Sequence, residues 1–105
     1  MRFGVVTLFP DLVADVAGYG VLGRAVERGL IALDCESPRD HATDPHRTVD
    51  DRPYGGGPGM VMKYEPSAAA IASLAARMPA GSPVVCLSPQ GARFDQATAE
   101  RYAEL

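Results

Sequence analysis

Strand-type and helix-type segments alternate along this chain of 105 residues, and that alternation most constrains its fold. The run over residues 2–9 is almost entirely apolar and rich in β-branched side chains, which is typical of a strand buried on both faces. Helical spacing of apolar residues follows, and a second strand-type run covers residues 30–36. The alternation predicts an α/β fold with a mostly parallel sheet and flanking helices.

The remaining predicted elements rest on local signals. Pro10 suits the first turn of a helix, and Asp95 suits the N-cap position of the last one. In the Ala-rich helix we expect Ile71 and Leu74 to face inward. The last helix lacks a stop signal, so we expect residues 1–105 to be one domain portion truncated in that helix. The further helices are predicted over residues 10–17, 21–28, 66–77 and 96–105, and the further strands over residues 60–63 and 83–87.

Composition narrows the possible partners. The chain is 47% hydrophobic and 22% charged, as globular domains are. A domain of this length buries roughly 65% of its unfolded surface, enough for a modest core. The formal net charge is −3, so any surface that binds nucleic acid must be local.

Cysteine usage and the absence of long apolar stretches indicate where the chain resides. Cys35 and Cys86 share no metal-type spacing, so we expect both to be small buried hydrophobes, with neither a disulfide nor a metal site. The apolar opening breaks at Pro10, too early for a signal peptide, and no stretch approaches membrane-spanning length. The sequence therefore predicts a soluble, cytoplasmic protein without a membrane partner.

The segment G-Y-G-V-L-G at residues 18–23 formally matches the dinucleotide-binding pattern G-x-G-x-x-G. Glu36 falls near the position of the acidic residue that such sites use. In that motif the glycines follow the first strand directly, whereas a helical turn or two separates Phe9 from Gly18 here. A glycine break between two short helices is the favoured interpretation, and an NAD-dependent oxidoreductase remains an alternative.

A long polar loop over residues 37–59 contains the segment R-T-V-D-D-R-P-Y-G-G-G-P-G-M. Its glycines leave backbone N–H groups open to a ligand, although no Gly-Lys-Ser/Thr follows as in a Walker loop. Cations for phosphate, carboxylates for the edge of guanine and a ring for stacking suit single-stranded RNA. A flexible surface loop is the alternative, and metal binding is a minor one without recognised ligand spacing. The residues considered for a metal are Asp40, His41, Asp44 and His46.

The segment V-V-C-L-S-P-Q-G at residues 84–91 is the third candidate. In parallel α/β sheets, ligands bind beyond the carboxyl ends of the strands. An adenine ring at this turn would be read by backbone hydrogen bonds. An ordinary tight turn explains the same residues equally well.

Together these segments resemble the bacterial tRNA (guanine-N1)-methyltransferase family of trefoil-knot (SPOUT) enzymes. The resemblance covers the whole chain and rests on S-P-R-D at residues 37–40, H-R-T-V-D-D-R-P-Y-G-G-G-P-G-M at 46–60 and L-S-P-Q-G at 87–91. The opening G-V-V-T-L-F-P and the segment Y-G-V-x-G-R-A-V at 19–26 fit as well. It implies the N-terminal part of the methyltransferase domain, with the knot itself outside this chain.

The resemblance also implies an activity and a set of site residues. The reaction is methyl transfer from S-adenosylmethionine to N1 of the guanosine 3′-adjacent to the anticodon in tRNA, by a homodimer with active sites between its subunits. The cofactor site would include Leu87, Ser88, Pro89, Gln90 and Gly91. The tRNA anticodon region would contact His46, Arg47, Asp50, Arg52, Pro53, Tyr54, Gly55, Pro58 and Gly59.

Catalysis itself needs groups that this chain does not match. Neutral guanine holds a proton at N1, which a general base must remove, and a cation near O6 would stabilise the negative charge that develops. In the family, the catalytic Asp and its partner Arg come after the position of Leu105, so no catalytic residue is assigned here. We expect the chain alone to be inactive, and a non-catalytic module for RNA binding or dimerisation is the alternative.

Overall fold

A computed structural model describes all residues 1–105. Strands and helices alternate in its first half, while most of the polar loop is irregular. The strands are β1 Arg2–Val6, β2 Ala32–Glu36, β3 Asp50–Asp51 and β4 Val61–Met62. The helices are α1 Pro10–Val16, α2 Gly20–Glu27, a 3-10 helix Pro38–His41, α3 Tyr64–Ala75 and α4 Gln96–Ala103.

Two small sheets form, and one of them is parallel. β1 and β2 pair in parallel with a register from Arg2 opposite Ala32 to Val6 opposite Glu36. Parallel neighbours require a crossover, which α1 and α2 provide. β3 lies inside the polar loop and pairs in antiparallel fashion with β4, which falls within the strand predicted over residues 60–63. The α/β class with a parallel sheet is therefore confirmed, and the polar loop contains more structure than the sequence predicted.

The helices begin close to the predicted positions. α1 starts at Pro10, and the Asp95 side chain accepts a hydrogen bond from Thr98 N at 2.8 Å at the start of α4. That cap lowers the pKa of Asp95, mainly through the Thr98 N–H. α3 begins two residues earlier than predicted, and α4 ends at Ala103 instead of Leu105.

The core lies where α3 packs on β1 and on the 3-10 helix. Pro38 and Ala70 are fully buried, and Leu74 is almost so. A Cβ added to Gly4 would lie 2.8 Å from Leu74 Cδ2, so α3 approaches the strand closely. Ile71, predicted to face inward, is 40% exposed because α3 is covered on one side only.

β1 is not buried on both faces, and that prediction was wrong. α3 covers the face of Gly4, whereas Phe3 on the opposite face is 42% exposed. The open face borders an apolar groove of about 440 Å³ between the sheet and the helices α1 and α2. The groove is lined by Phe3, Val5, Leu12, Val13, Val16, Ala17, Leu22, Ile31 and Leu33.

The predicted strand over residues 83–87 does not form. None of its backbone N–H or C=O groups takes part in a hydrogen bond, and Leu87 is 95% exposed. A strand needs a neighbour for its ladder, and no strand of this chain lies beside the segment. The prediction that both cysteines are buried was wrong for Cys86, which is exposed for the same reason, whereas Cys35 in β2 is half-buried. Burial, and then the adjacent Asp34 carboxylate, raise the pKa of Cys35.

No helix is long and apolar enough to cross a bilayer. The longest, α3, has 12 residues, well short of the approximately 20 that a transmembrane helix needs.

Candidate nucleic-acid interface

Two packed elements frame the polar loop, defined from here on as residues 42–63. The 3-10 helix precedes it, and its start follows from the S-P-R-D sequence. Ser37 caps this helix by accepting a hydrogen bond from Arg39 N at 3.2 Å, and Pro38 occupies its first position. α3 follows the loop and packs against the 3-10 helix. Both ends of the loop are therefore anchored on the core.

The first part of the polar loop is a hydrogen-bonded turn. The Asp44 carboxylate accepts hydrogen bonds from Thr48 Oγ1 at 2.6 Å and Thr48 N at 2.9 Å. The Thr48 hydroxyl, followed by its N–H, lowers the pKa of Asp44. Arg47 has a left-handed φ of 50° and an exposed ion pair with Asp40 at 3.3 Å. The turn leaves His46 and Arg47 exposed to solvent.

A short hairpin forms the neck of the polar loop. Lys63 N donates to Val49 O at 2.8 Å, and Val49 is buried. Asp50 stands opposite Met62, and its exposed carboxylate makes no hydrogen bond or ion pair. The neighbouring Asp51 instead accepts a hydrogen bond from Arg52 N at 2.7 Å. Only Asp50 of this pair keeps its carboxylate fully available to a ligand.

The tip of the polar loop is built from glycines in the left-handed region. Gly55, Gly56, Gly57 and Gly59 have φ values of 80°, 86°, 115° and 83°. An added Cβ at any of them would meet nothing within 4 Å, so backbone conformation and not crowding requires glycine. The Tyr54 side chain is 106% exposed beside this bare backbone. The tip thus offers a stacking face next to uncovered peptide groups.

All nine sequence-predicted RNA residues lie on this one loop. Asp50, Arg52 and Tyr54 project into solvent without a side-chain partner in the protein, while Pro53 is half-buried. The other members are His46, Arg47, Gly55, Pro58 and Gly59. A free carboxylate, a free guanidinium and an exposed ring on one segment match what unstacked RNA bases and phosphates bind.

The five predicted cofactor residues form an exposed turn. Ser88 O accepts a hydrogen bond from Gly91 N at 3.0 Å, and Ser88 Oγ accepts one from Gln90 N at 3.3 Å. Leu87 and Pro89 are also exposed. No hydrogen bond joins this turn to the polar loop. The predicted cofactor residues and the predicted RNA residues are therefore not hydrogen-bonded to each other.

The G-x-G-x-x-G segment begins between α1 and α2 and continues into the first turn of α2, well after β1 ends at Val6. A Cβ on Gly23 would lie 2.6 Å from Gly18 O, so close backbone packing requires this glycine. The geometry therefore supports a glycine break between helices and does not support the oxidoreductase alternative. Glu36, considered there as a ribose ligand, is bound by three protein donors instead.

Sequence reasoning missed the cluster around Glu36. Its carboxylate accepts hydrogen bonds from His41 Nε2 at 2.7 Å, Ser73 Oγ at 2.9 Å and Arg77 Nη2 at 2.6 Å. These bonds, led by that from Arg77 and followed by those from His41 and Ser73, lower the pKa of Glu36 to about 2. The available signal was the four-residue spacing of Ser73 and Arg77 within the helix predicted over residues 66–77.

Three of the four residues considered for a metal have other partners, whereas His46 is exposed. Asp40 pairs with Arg47, His41 with Glu36, and Asp44 with Thr48. No group of three or more His, Cys, Asp or Glu side chains is arranged to hold a metal ion.

The whole chain, residues 1–105, matches the family model described as tRNA (Guanine-1)-methyltransferase TrmD. The chain belongs to this family. A tRNA (guanine-N(1)-)-methyltransferase of Methylococcus capsulatus is 56% identical over 103 residues, which are 98% of this chain and 41% of the relative. The corresponding protein of Halorhodospira halophila is 57% identical over 102 residues, 97% of this chain and 39% of the relative.

The fold of this tRNA (guanine-1)-methyltransferase family member also matches a solved structure. The crystal structure of tRNA (m1G37) methyltransferase from Aquifex aeolicus superposes with a TM-score of 0.80 at 32% identity. The match covers 96% of this chain and 45% of that one. The chain thus corresponds to the N-terminal part of its curated relatives and spans about two fifths of their length.

Proposed function

We propose that the protein containing this chain transfers a methyl group from S-adenosylmethionine to N1 of the guanosine 3′-adjacent to the anticodon in tRNA. Family membership over all 105 residues carries the proposal, together with the exposed loop that bears Asp50, Arg52 and Tyr54. Relatives at 56% and 57% identity bear the name tRNA (guanine-N(1)-)-methyltransferase. tRNA as substrate is in keeping with a cytoplasmic location.

In this proposal the polar loop recognises RNA. Asp50 accepts hydrogen bonds from the N1–H and N2–H donors of a guanine in the anticodon region, since its carboxylate has no competing partner. The cations Arg47 and Arg52, with His46, contact phosphates, and Tyr54 stacks on a base. The backbone at Gly55 and Gly59, which carries no side chain, lies against the RNA, and the rings of Pro53 and Pro58 pack beside it.

The turn at Leu87, Ser88, Pro89, Gln90 and Gly91 forms one wall of the cofactor site in this proposal. It fits an adenosine group because residues 84–87 carry unpaired N–H and C=O groups beside the apolar Leu87 side chain. S-adenosylmethionine supplies an electrophilic methyl group when bound. The Ser88 hydroxyl holds the turn by accepting the Gln90 N–H.

Proton removal from N1 is assigned to no residue of this chain. Asp50 is given to recognition, because a carboxylate that reads the N1–H edge of a neighbouring guanine is not free to act on the target base. The general base, the cation near O6 and the trefoil knot would come from other parts of the complete protein. A homodimer with shared active sites belongs to the same proposal.

A non-catalytic RNA-binding module is the second candidate for residues 1–105 on their own. The observation that favours it is the absence of any hydrogen bond between the turn at residues 87–91 and the polar loop. RNA binding without cofactor binding would distinguish this candidate.

A methyl-transfer assay tests the proposal. The complete gene product is incubated with radiolabelled S-adenosylmethionine and a tRNA transcript that carries guanosine 3′ to the anticodon. A matched transcript with adenosine at that position serves as the control. We expect label only in the first transcript, at N1 of that guanosine. Equal labelling of both transcripts, or of neither, would contradict the proposed function.

A further inference from the structure

The Glu36 carboxylate connects the 3-10 helix, which precedes the polar loop, to the C-terminal end of α3, the helix that follows the loop. The loop starts after His41, which donates to Glu36 Oε1 at 2.7 Å. It ends before α3; Ser73 in the last turn of α3 and Arg77, two residues beyond the helix, donate to the same carboxylate. We propose that Glu36 is a positioning residue that holds the polar loop in the arrangement that binds tRNA. This inference rests on the proposed function of the loop.

The backbone of Glu36 is held in the parallel sheet. Glu36 is the last residue of β2, and its C=O accepts a hydrogen bond from Thr7 N at 3.0 Å just beyond β1. Its side chain is only 13% exposed. Oε1 takes the donors from His41 and Ser73, and Oε2 takes the Arg77 guanidinium at 2.6 Å. Both oxygens are thus used, and the donors come from two separate elements.

The positions of those two elements decide how the ends of the polar loop meet. A polar cavity of about 330 Å³ lies between the Asp44–Thr48 turn and the start of α3. His41 lines this cavity while its Nε2 is held by Glu36. The cavity is lined by His41, Ala42, Thr43, Asp44, Thr48, Lys63, Glu65 and Pro66. If His41 lost its hydrogen bond to Glu36, one side of this cavity would become mobile. The part of the polar loop that we propose to bind RNA projects from this cavity.

Apolar packing alone would also keep the 3-10 helix on α3. Pro38 and Ala70 are fully buried at this contact. If Glu36 contributed only to overall stability, its replacement would lower the free energy of unfolding and leave the folded protein's loop order and RNA affinity unchanged. A positioning role also changes the order of the polar loop and the affinity for RNA while the protein remains folded.

Glu36→Gln and Asp34→Asn form a matched pair of variants. Both convert a carboxylate of β2 to an amide and remove an ion pair. Asp34, however, pairs with Arg2 of β1 at 2.7 Å, away from the polar loop. In the complete gene product we expect Glu36→Gln to raise the KM for tRNA about tenfold. This is the effect expected if the polar loop adopts its RNA-binding conformation in about one tenth of the molecules. Its kcat and the Kd for S-adenosylmethionine should stay unchanged, and Asp34→Asn should change none of the three.

Amide hydrogen exchange gives a readout that needs no RNA. The N–H groups of Arg47, Thr48 and Lys63 are hydrogen-bonded within the protein and report on loop order. They should exchange faster in Glu36→Gln than in Asp34→Asn. If Glu36→Gln does not fold, Arg77→Met removes the Oε2 donor alone and should shift exchange and KM in the same direction by smaller amounts.

Unchanged exchange and unchanged KM in the folded Glu36 or Arg77 variant would overturn the inference, as would equal changes in Asp34→Asn. Failure of the unmodified protein to bind tRNA would overturn the proposed function instead. Hydrogen exchange would still decide whether Glu36 orders the loop, so the two failures are distinguishable.

Discussion

Asp50 and Asp51 are adjacent in the sequence, yet their carboxylates have different roles in the structure. Asp51 accepts the Arg52 N–H at 2.7 Å and thereby shapes the backbone, whereas Asp50 is exposed and unpaired. The sequence offers two adjacent carboxylates, and the family resemblance implies an RNA contact for Asp50 alone. Residue type alone does not show which carboxylate the local backbone already uses.

Replacement of Asp50 tests this separation. Asp50→Ala in the complete gene product should weaken tRNA binding about tenfold or more, because a hydrogen bond to a charged group contributes about 1.5–3 kcal/mol. Cofactor affinity should stay nearly unchanged. Asp15→Ala, which removes another exposed and unpaired carboxylate on α1, is the control and should leave both affinities intact. Equal losses of tRNA and cofactor affinity in titrations would contradict the assignment.

The Glu36 carboxylate predicts an acid-sensitive stability. Its donors, led by Arg77, lower its pKa from 4.5 to about 2, so the folded state binds this proton less readily than the unfolded state. The resulting contribution is fully present above pH 4.5 and is lost as the pH falls toward about 2. The free energy of unfolding, followed by urea titration at several pH values, should decline over this window. The decline should be shallower in Glu36→Gln, and an identical slope in both proteins would exclude Glu36 as its source.

At the scale of elements, local signals predicted helices better than strands. Pro10 and Asp95 mark helix starts through their own backbone and side-chain chemistry, and both starts are observed. The segment over residues 83–87 has strand-type residues but no neighbour to pair with. The Glu36 cluster escaped prediction because its partners Ser73 and Arg77 lie 37 and 41 residues away. Contacts of that range depend on the packing of whole elements.

The turn that follows residues 83–87 yields a prediction at this scale. Ser88→Trp in the complete gene product should abolish detectable binding of S-adenosylmethionine, because the indole would fill the space proposed for adenosine. Ser82→Trp places the same side chain in the same exposed segment and should leave binding unchanged. Calorimetric titration measures both. Unchanged affinity in Ser88→Trp would remove residues 87–91 from the cofactor site.

At the scale of the whole molecule, the chain is less compact than its length predicts. Only 8 of 105 residues are buried, and the radius of gyration is 15.8 Å, against about 13 Å for a compact domain of this length. The apolar groove beside β1 and the segment over residues 83–87 both leave large apolar side chains exposed. Composition shows how much apolar surface a chain has, but not which element covers it.

The most direct test concerns residues 1–105 as a whole, which we propose supply one wall of the S-adenosylmethionine site without completing it. Calorimetric titration would compare this chain, the full-length Methylococcus capsulatus relative, and a chimera in which this chain replaces the matched region of that relative. We predict that the relative and the chimera bind S-adenosylmethionine with similar affinity and that the isolated chain does not bind it. Binding by the isolated chain, or none by a correctly folded chimera, would contradict the account.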